Sequence, residues 1–348
     1  FNDGKDWKPF QLNLPIVPIT DLTIKDNNLI VATQGRSVWM IDDLSVIHQL
    51  YDADLSATML FKPKDTYRMR GGSRAGSKTS GTNHPNGVIT YFNLKGYKDD
   101  DKVSLTYFDT KGDTIKTYST KDKKNKLTVE DGANQFVWNM TYDGAERLKG
   151  MILWWASLQG PRAIPGNYKV SLNVNDEVQT ESFTILADPR AESTLADMQK
   201  QFAFIKDVNK TMDDAHKSIK KIRAVNKQLG AFQKQYAADE NVKELVEKAK
   251  ALEEQLSNIE KELYQTKNRS GQDPLNFPIK LTNKLGHLNS LVSMGDFAPT
   301  EQDIAVKNEL TGEIEKQLAA FNTILNDEVK AFNAAFNAKQ LNYLFVED

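Results

Sequence analysis

Hydrophobic positions change period near residue 190. Before that point they alternate in short runs, and beyond it they recur at spacings of three and four. Leu195, Met198, Phe202, Ile205, Val208, Met212, Ala215, Ile219, Ile222, Val225, Leu229, Phe232 and Tyr236 form one stripe. That stripe predicts a helix of about 44 residues, ~66 Å long, with Gly230 as its weak point. Val242, Leu245, Ala249, Leu252, Leu256, Ile259, Leu263 and Thr266 make a near-heptad seam for a second helix, closed by Gly271. Asp273-Pro274 reads as the N-cap and first-turn proline of a third, which carries Phe277, Leu281, Leu285, Leu288 and Val292 and stops near Gly295. Thr300 reads as the N-cap of a fourth, with Ile304, Leu310, Ile314, Leu318, Phe321, Leu325, Phe332 and Phe336 on its face. One-sided helices with short connections predict an antiparallel four-helix bundle over residues 191–346.

The earlier part of the chain reads as β. Ile16–Ile24, Leu29–Thr33 and Ser37–Ile41 have strand character, with a turn at Asn27-Asn28 and another at Gly35. They amount to about one blade of a β-propeller within residues 1–57, and its open edges need cover. Residues 88–187 hold six or seven strand-like runs. Among them, Tyr168, Val170, Leu172 and Val174 share one face, and Asp109–Asp113 is a hairpin turn. This predicts an immunoglobulin-like β-sandwich. Between the two, residues 58–87 interleave Lys62, Lys64, Arg68, Arg70, Arg74 and Lys78 with Gly71, Gly72, Gly76 and Gly81, which reads as a solvated connector. The fold class is therefore multidomain, β then α.

Composition narrows the chemistry. A net charge of −2 over 348 residues gives no excess of positive charge for nucleic acid or an anionic membrane. No apolar run approaches the ~18 residues of a transmembrane helix. The absence of cysteine removes disulfides and thiolate metal sites. Phe1 opens no signal peptide, so the chain reads as cut from a longer one whose targeting information lies upstream. His48, His84, His216 and His287 lack metal-ligand spacing, and Asp99-Asp100-Asp101 lacks the spaced oxygens of a calcium loop. Asp42-Asp43 are adjacent on a strand, point to opposite faces, and read as the strand end and the cap of the next turn. Arg36 reads as a turn residue. There is no Gly-x-Ser-x-Gly elbow and no phosphate-binding glycine loop. No residue is assigned a catalytic, cofactor or metal role.

One candidate binding feature remains, the adjacent pair Trp154 and Trp155 within Met151–Ala156. Such rings stack on sugars or enter a partner's pocket. The competing reading has one ring filling the sandwich core and the other packing on a neighbouring domain.

A family resemblance adds to this. Phe1-Asn2-Asp3-Gly4-Lys5-Asp6-Trp7 is similar to an Asp-box, Ser-x-Asp-x-Gly-x-x-Trp, from its second position, with Asn2 in place of the Asp. Ala32–Leu44 resembles the final strands of propellers in the sortilin-like, BNR-repeat group of large bacterial proteins. Asn83–Val88, Phe136–Met140, Gly160–Tyr168 and Asp188-Pro189-Arg190 look like the flagellar-hook-cap type of immunoglobulin-like domain that follows such propellers. Gln272–Pro278 and Gly295–Thr300 resemble the helical tail. The resemblance implies a non-catalytic scaffold or interaction module at the C-terminal end of a secreted or envelope-associated propeller protein. Its partners would be upstream propeller segments and a further protein or glycan. The alternatives are an accessory part of a glycoside hydrolase whose active site lies in the rest of the propeller, and a carbohydrate-binding sandwich using Trp154 and Trp155.

Overall fold

The structure, a computed structural model, describes residues 4–7, 9–50, 53–69 and 84–341. Phe1–Asp3 of the Asp-box-like run, the basic and glycine positions from Arg70 to Gly81, and the tail beyond residue 341 lie outside the described residues. Sheets come first and helices follow. The chain divides into two compact units. One comprises residues 1–141 and 163–191, and the other residues 142–162 and 192–348.

The first unit opens with an antiparallel meander of β1 (Ile19–Lys25), β2 (Asn28–Thr33) and β3 (Val38–Ile41). Asp26 and Asn27, both at positive φ, make the two-residue turn between β1 and β2. Every residue of β1 is exposed, and Leu22, Ile24, Val38 and Met40 leave apolar surface on this sheet. A short helix follows, α1 (Ser45–Leu50). Asp43 caps it, accepting from the Ser45 amide at 2.8 Å and the Ser45 hydroxyl at 2.9 Å.

The remaining strands of this unit form two sheets. One runs β5 (Thr66–Tyr67), β11 (Glu177–Leu186), β10 (Gly166–Val174), β7 (Val103–Phe108), β8 (Thr114–Ser119). The other runs β4 (Met59–Leu60), β6 (Val88–Leu94), β9 (Gly132–Trp138). Their shared core is aromatic. Trp138 stacks on Tyr107 with ring centroids 4.6 Å apart, and Tyr168 and Phe183 pack around it. The Tyr107 hydroxyl finds Thr90 across the core at 2.7 Å, which meets the need of a buried phenol for a partner. Gly87 is obligatory beside it: a Cβ there would stand 2.4 Å from the Trp138 carbonyl oxygen, and its φ is +149°.

The described part of residues 58–87 is not a solvated connector. β4 pairs with β6, and β5 pairs in parallel with β11. Leu60 and Phe61 are buried, and Arg68 is 1% exposed with Nε donating to the Ala163 carbonyl at 2.8 Å. The basic composition concealed two short strands, of which Leu60 is buried, Met59 half-buried and Tyr67 exposed.

The second unit is built on α2 (Leu195–Gln235), which runs unbroken through Gly230. α3 (Lys243–Leu263) returns antiparallel along it, since Arg223 meets Glu260, Asn226 meets Ser257 and Gln233 meets Glu253. α4 (Leu281–Val292) continues in the same direction, pairing Asn209 with Asn289 and Gln201 with the Val292 carbonyl. The Thr282 hydroxyl bonds the Leu263 carbonyl at 2.8 Å, joining the start of α4 to the end of α3. α5 (Glu301–Thr323), a π-helical stretch (Ile324–Glu328) and α6 (Val329–Ala338) then run parallel to α2, with Lys307 at Asp207 and Phe332 at Phe232.

The arrangement is thus three rods, with α3 and α4 end to end along α2, rather than four side-by-side antiparallel helices. Lengths agree: at ~1.5 Å per residue α2 spans ~62 Å, and α3 with α4 ~50 Å. Thr300 is the N-cap of α5 and forms a capping box with Asp303. Asp273-Pro274 does not begin α4. Pro274 lies in a three-residue 3-10 turn, and Asp273 accepts from the Arg269 and Ser270 amides. Phe277 consequently falls in the connection before the helix. No helix among the described residues is long and apolar enough to cross a membrane.

Candidate functional site

Residues 142–162 have no regular secondary structure, yet they belong to the helical unit. Trp154 and Trp155 therefore belong to the helical unit and not, as their sequence position within 88–187 suggests, to the β domain. The neck of this loop is pinned by two glycines. A Cβ on Gly144 would lie 1.9 Å from the Leu158 carbonyl oxygen, and one on Gly160 would lie 2.3 Å from that of Tyr142. Ala145 donates to Leu158 at 2.8 Å and Tyr142 to Pro161 at 2.9 Å, so the two arms bond as a ribbon.

Above the neck, Leu148 and Met151 are buried in the helical core. Polar side chains of α4, the buried Asn283 and Asn289 and the half-buried His287, brace the rest. Asn283 accepts from the Trp154 amide at 2.7 Å and donates to its carbonyl at 2.9 Å. His287 Nδ1 donates to the Trp155 carbonyl at 2.8 Å. Asn289 donates to the carbonyls of Ser157 and Gln159, and the Ser157 amide donates to the Gly286 carbonyl. These bonds satisfy an irregular backbone that has no ladder of its own.

The two indoles are presented rather than buried. Trp155 is 73% exposed and sits at φ +51°, a conformation that non-glycine residues adopt only when their surroundings enforce it. Trp154 is half-buried, and the two ring centroids are 6.4 Å apart at 31°. Neither fills the β core, where Trp138 stands instead. On α4, Leu291 follows His287 by one turn and is exposed, as are Met294 and Phe297 just after the helix. Asn283 and Asn289 were not singled out from sequence, and His287 was weighed there only as a metal ligand and set aside. Their signal was polar residues interrupting the apolar stripe of Leu281, Leu285, Leu288 and Val292.

His216 lies beneath the loop, fully buried, with Nδ1 donating to the Glu146 carbonyl at 2.6 Å. Burial pushes its pKa below the ordinary value, against the raising influence of that hydrogen bond and of Asp213 and Glu146. The unfolded chain therefore takes up a proton near pH 6.5 that the folded unit resists. Stability is fully present above about pH 6.5 and falls as pH drops below it. Melts at about pH 7.5 and 5.5 should show this loss, and His216→Gln should reduce the difference between the two. An equal difference in both proteins would remove His216 as its cause.

The β unit carries a separate cleft of about 910 Å³ lined by Asp42, Asp43, Asp65, Lys64, His84 and Arg190 among others. Asp42 and Asp43 both face it, because the strand ends at Ile41 and alternation no longer applies. Both oxygens of Asp43 are engaged, by Ser45 and Asn27, and Asp65 accepts from the Thr184 amide. Arg190 grips Asp188 through two nitrogens, and those hydrogen bonds hold the Asp188 carboxyl at about 2. The carboxylates whose bonds are known here are capping and bracing groups. Arg36 is a turn residue whose carbonyl accepts from the Trp39 indole at 2.8 Å. Asp101 ties its loop to Asn175 and the Lys98 amide. No group of three or more His, Cys, Asp or Glu residues able to hold a metal ion occurs among the described residues.

A scan against protein-family models and a search of curated proteins both find no match to this chain.

Proposed function

We propose that this chain is a non-catalytic interaction module and that the loop at Trp154 and Trp155 is its contact surface. The observation that carries the reading is the bracing of the backbone that presents an exposed indole. A 73% exposed Trp155 is fixed by α4 through hydrogen bonds to the backbone of both tryptophans. Exposure of so large an apolar group is costly unless a partner covers it, and pre-organisation lowers the entropy lost when one does. Exposed Leu291, Met294 and Phe297 favour an apolar protein surface as that partner.

In the same reading, β1–β3 are the closing strands of a propeller in an extracytoplasmic protein of the sortilin-like, BNR-repeat type. The exposed apolar β1 supports this, since such an edge accepts further strands. The two sheets around Trp138 are an immunoglobulin-like sandwich, and the helices form the unit that carries the contact loop.

A photo-reactive residue at Leu291, in the cells that make this protein, tests the contact surface. It should give a discrete protein adduct that Trp155→Ala removes, while a label at Lys316 gives none. Adducts indifferent to Trp155→Ala would contradict the reading. So would turnover of chromogenic glycoside, peptide or ester substrates that a single substitution in this chain abolishes. The spacing of the two indole rings also suits a sugar. Quenching of their fluorescence by neutral oligosaccharides, lost in Trp155→Ala, would move the assignment from a protein to a glycan partner.

A further inference from the structure

A second surface of the helical unit has a different chemistry. A cleft of about 430 Å³ opens where α3 ends. It is lined by Lys149 and Gly150 of the loop, Arg223 of α2, Ser257, Glu260 and Lys261 of α3, and Tyr264, Thr266, Asn268 and Arg269 of the segment that follows. Four cations therefore face one carboxylate. That carboxylate is already committed: Arg223 Nε donates to Glu260 Oε1 at 2.8 Å, and the Arg223 guanidinium lies over the Tyr264 ring. Lys149 and Lys261 have no carboxylate partner among the described residues, and Arg269 has Asp273 nearby, which accepts from its backbone amide. Lys261 donates to the Asn258 side chain and Arg269 weakly to the Thr266 carbonyl, both neutral acceptors.

Positive charges converge here at a cost, because like charges repel and lysine side chains on a soluble surface usually spread apart. Their sequence positions, 149, 261 and 269, show that folding brings them together. Asn268 gives an independent sign. It is 8% exposed, yet its Oδ1 has no hydrogen-bond partner among the described residues. Asn268 lines the cleft, and a buried acceptor with no protein partner is an unmet cost that a small shift of this side chain toward a bound hydroxyl would relieve. The hydroxyls of Ser257 and Thr266 add neutral groups to the same wall.

We infer that this cleft binds a compact, multiply charged oxyanion, one bearing phosphate or sulfate groups. The volume lies within the range of small-molecule sites and admits a ligand of sugar-phosphate size. Guanidinium and ammonium donors make the charge-assisted hydrogen bonds such an anion needs. The site is distinct from the tryptophan surface and does not depend on the function proposed for it.

Calorimetric titration of the full chain at low salt tests the inference with three probes: inorganic pyrophosphate, fructose 1,6-bisphosphate and neutral glucose. Both anions should bind saturably at one site, weakening as salt is added, and glucose should not bind. Lys149→Gln combined with Arg269→Gln should weaken anion binding by about tenfold or more. Both side chains are exposed, so the melting temperature should not change. Lys316→Gln, outside the cleft, should leave binding intact. Tighter binding of the bisphosphate, lost selectively in Asn268→Ala, would identify a hydroxyl-bearing ester as the ligand. Equal binding of both anions would identify the free oxyanion. Absence of saturable binding by either anion, or equal binding by the double variant, would overturn the assignment.

Discussion

Trp138→Ala should destabilise the β unit by about 3–5 kcal/mol. The indole is fully buried and touches both sheets, through Tyr107 and Phe183 on one and its own strand β9 on the other. No other side chain in this core has its volume, so the cavity cannot be refilled by a small rotation. Trp138→Phe should cost distinctly less. The indole Nε1 has no hydrogen-bond partner among the described residues, so phenylalanine removes an unmet donor while keeping a stacked ring. Denaturant melts followed by far-ultraviolet circular dichroism would read both. A loss below about 1 kcal/mol for the alanine variant would mean that the two sheets do not share this core.

Leu256→Ala should destabilise the helical unit by about 2–5 kcal/mol, whereas Glu254→Ala should change it by no more than ~0.5 kcal/mol. Leu256 is fully buried mid-way along α3, in the core that α3 shares with α2 and α5, and Glu254 is exposed on the same helix. Because two units unfold in one chain, a single melting curve mixes them. Hydrogen exchange resolved by segment assigns the loss to the helices. Equal effects of the two substitutions would show that the α3 seam is not a core.

Much of this architecture was legible in the pattern of the chain. The change from period two to period 3.6 near residue 190 matches the passage from β11 to α2. The Thr-x-x-Asp run at Thr300 marked the start of α5, and the Asn27 turn marked the first hairpin. What periodicity could not convey is which side a helix takes. The stripes of α3 and α4 are equally consistent with two rods side by side or one rod in two pieces. Their lengths against that of α2 distinguish the cases, and the structure stacks them end to end.

The site was less legible. Trp154 and Trp155 stood out as a pair, but their unit did not, because residues 142–162 carry no period. Their partners Asp213, Asn283 and Asn289 lie far along the chain, and backbone-to-side-chain hydrogen bonds leave no spacing in a sequence. The cationic cleft was hidden for the same reason, since Lys149 and Arg269 meet only after folding. Residues 58–69 misled in the opposite direction, with a basic composition that masked two short paired strands.

Native-state hydrogen exchange of the full chain resolves whether residues 142–162 form a braced contact surface. The amides of Ile152, Trp154 and Ser157 donate to the Tyr264 hydroxyl, the Asn283 side chain and the Gly286 carbonyl respectively. They should exchange as slowly as neighbouring amides of α4, and Asn283→Ala should release Trp154 first. Exchange of all three at unstructured-chain rates would contradict a pre-organised surface and, with it, the reading of Trp155 as the contact residue of this module.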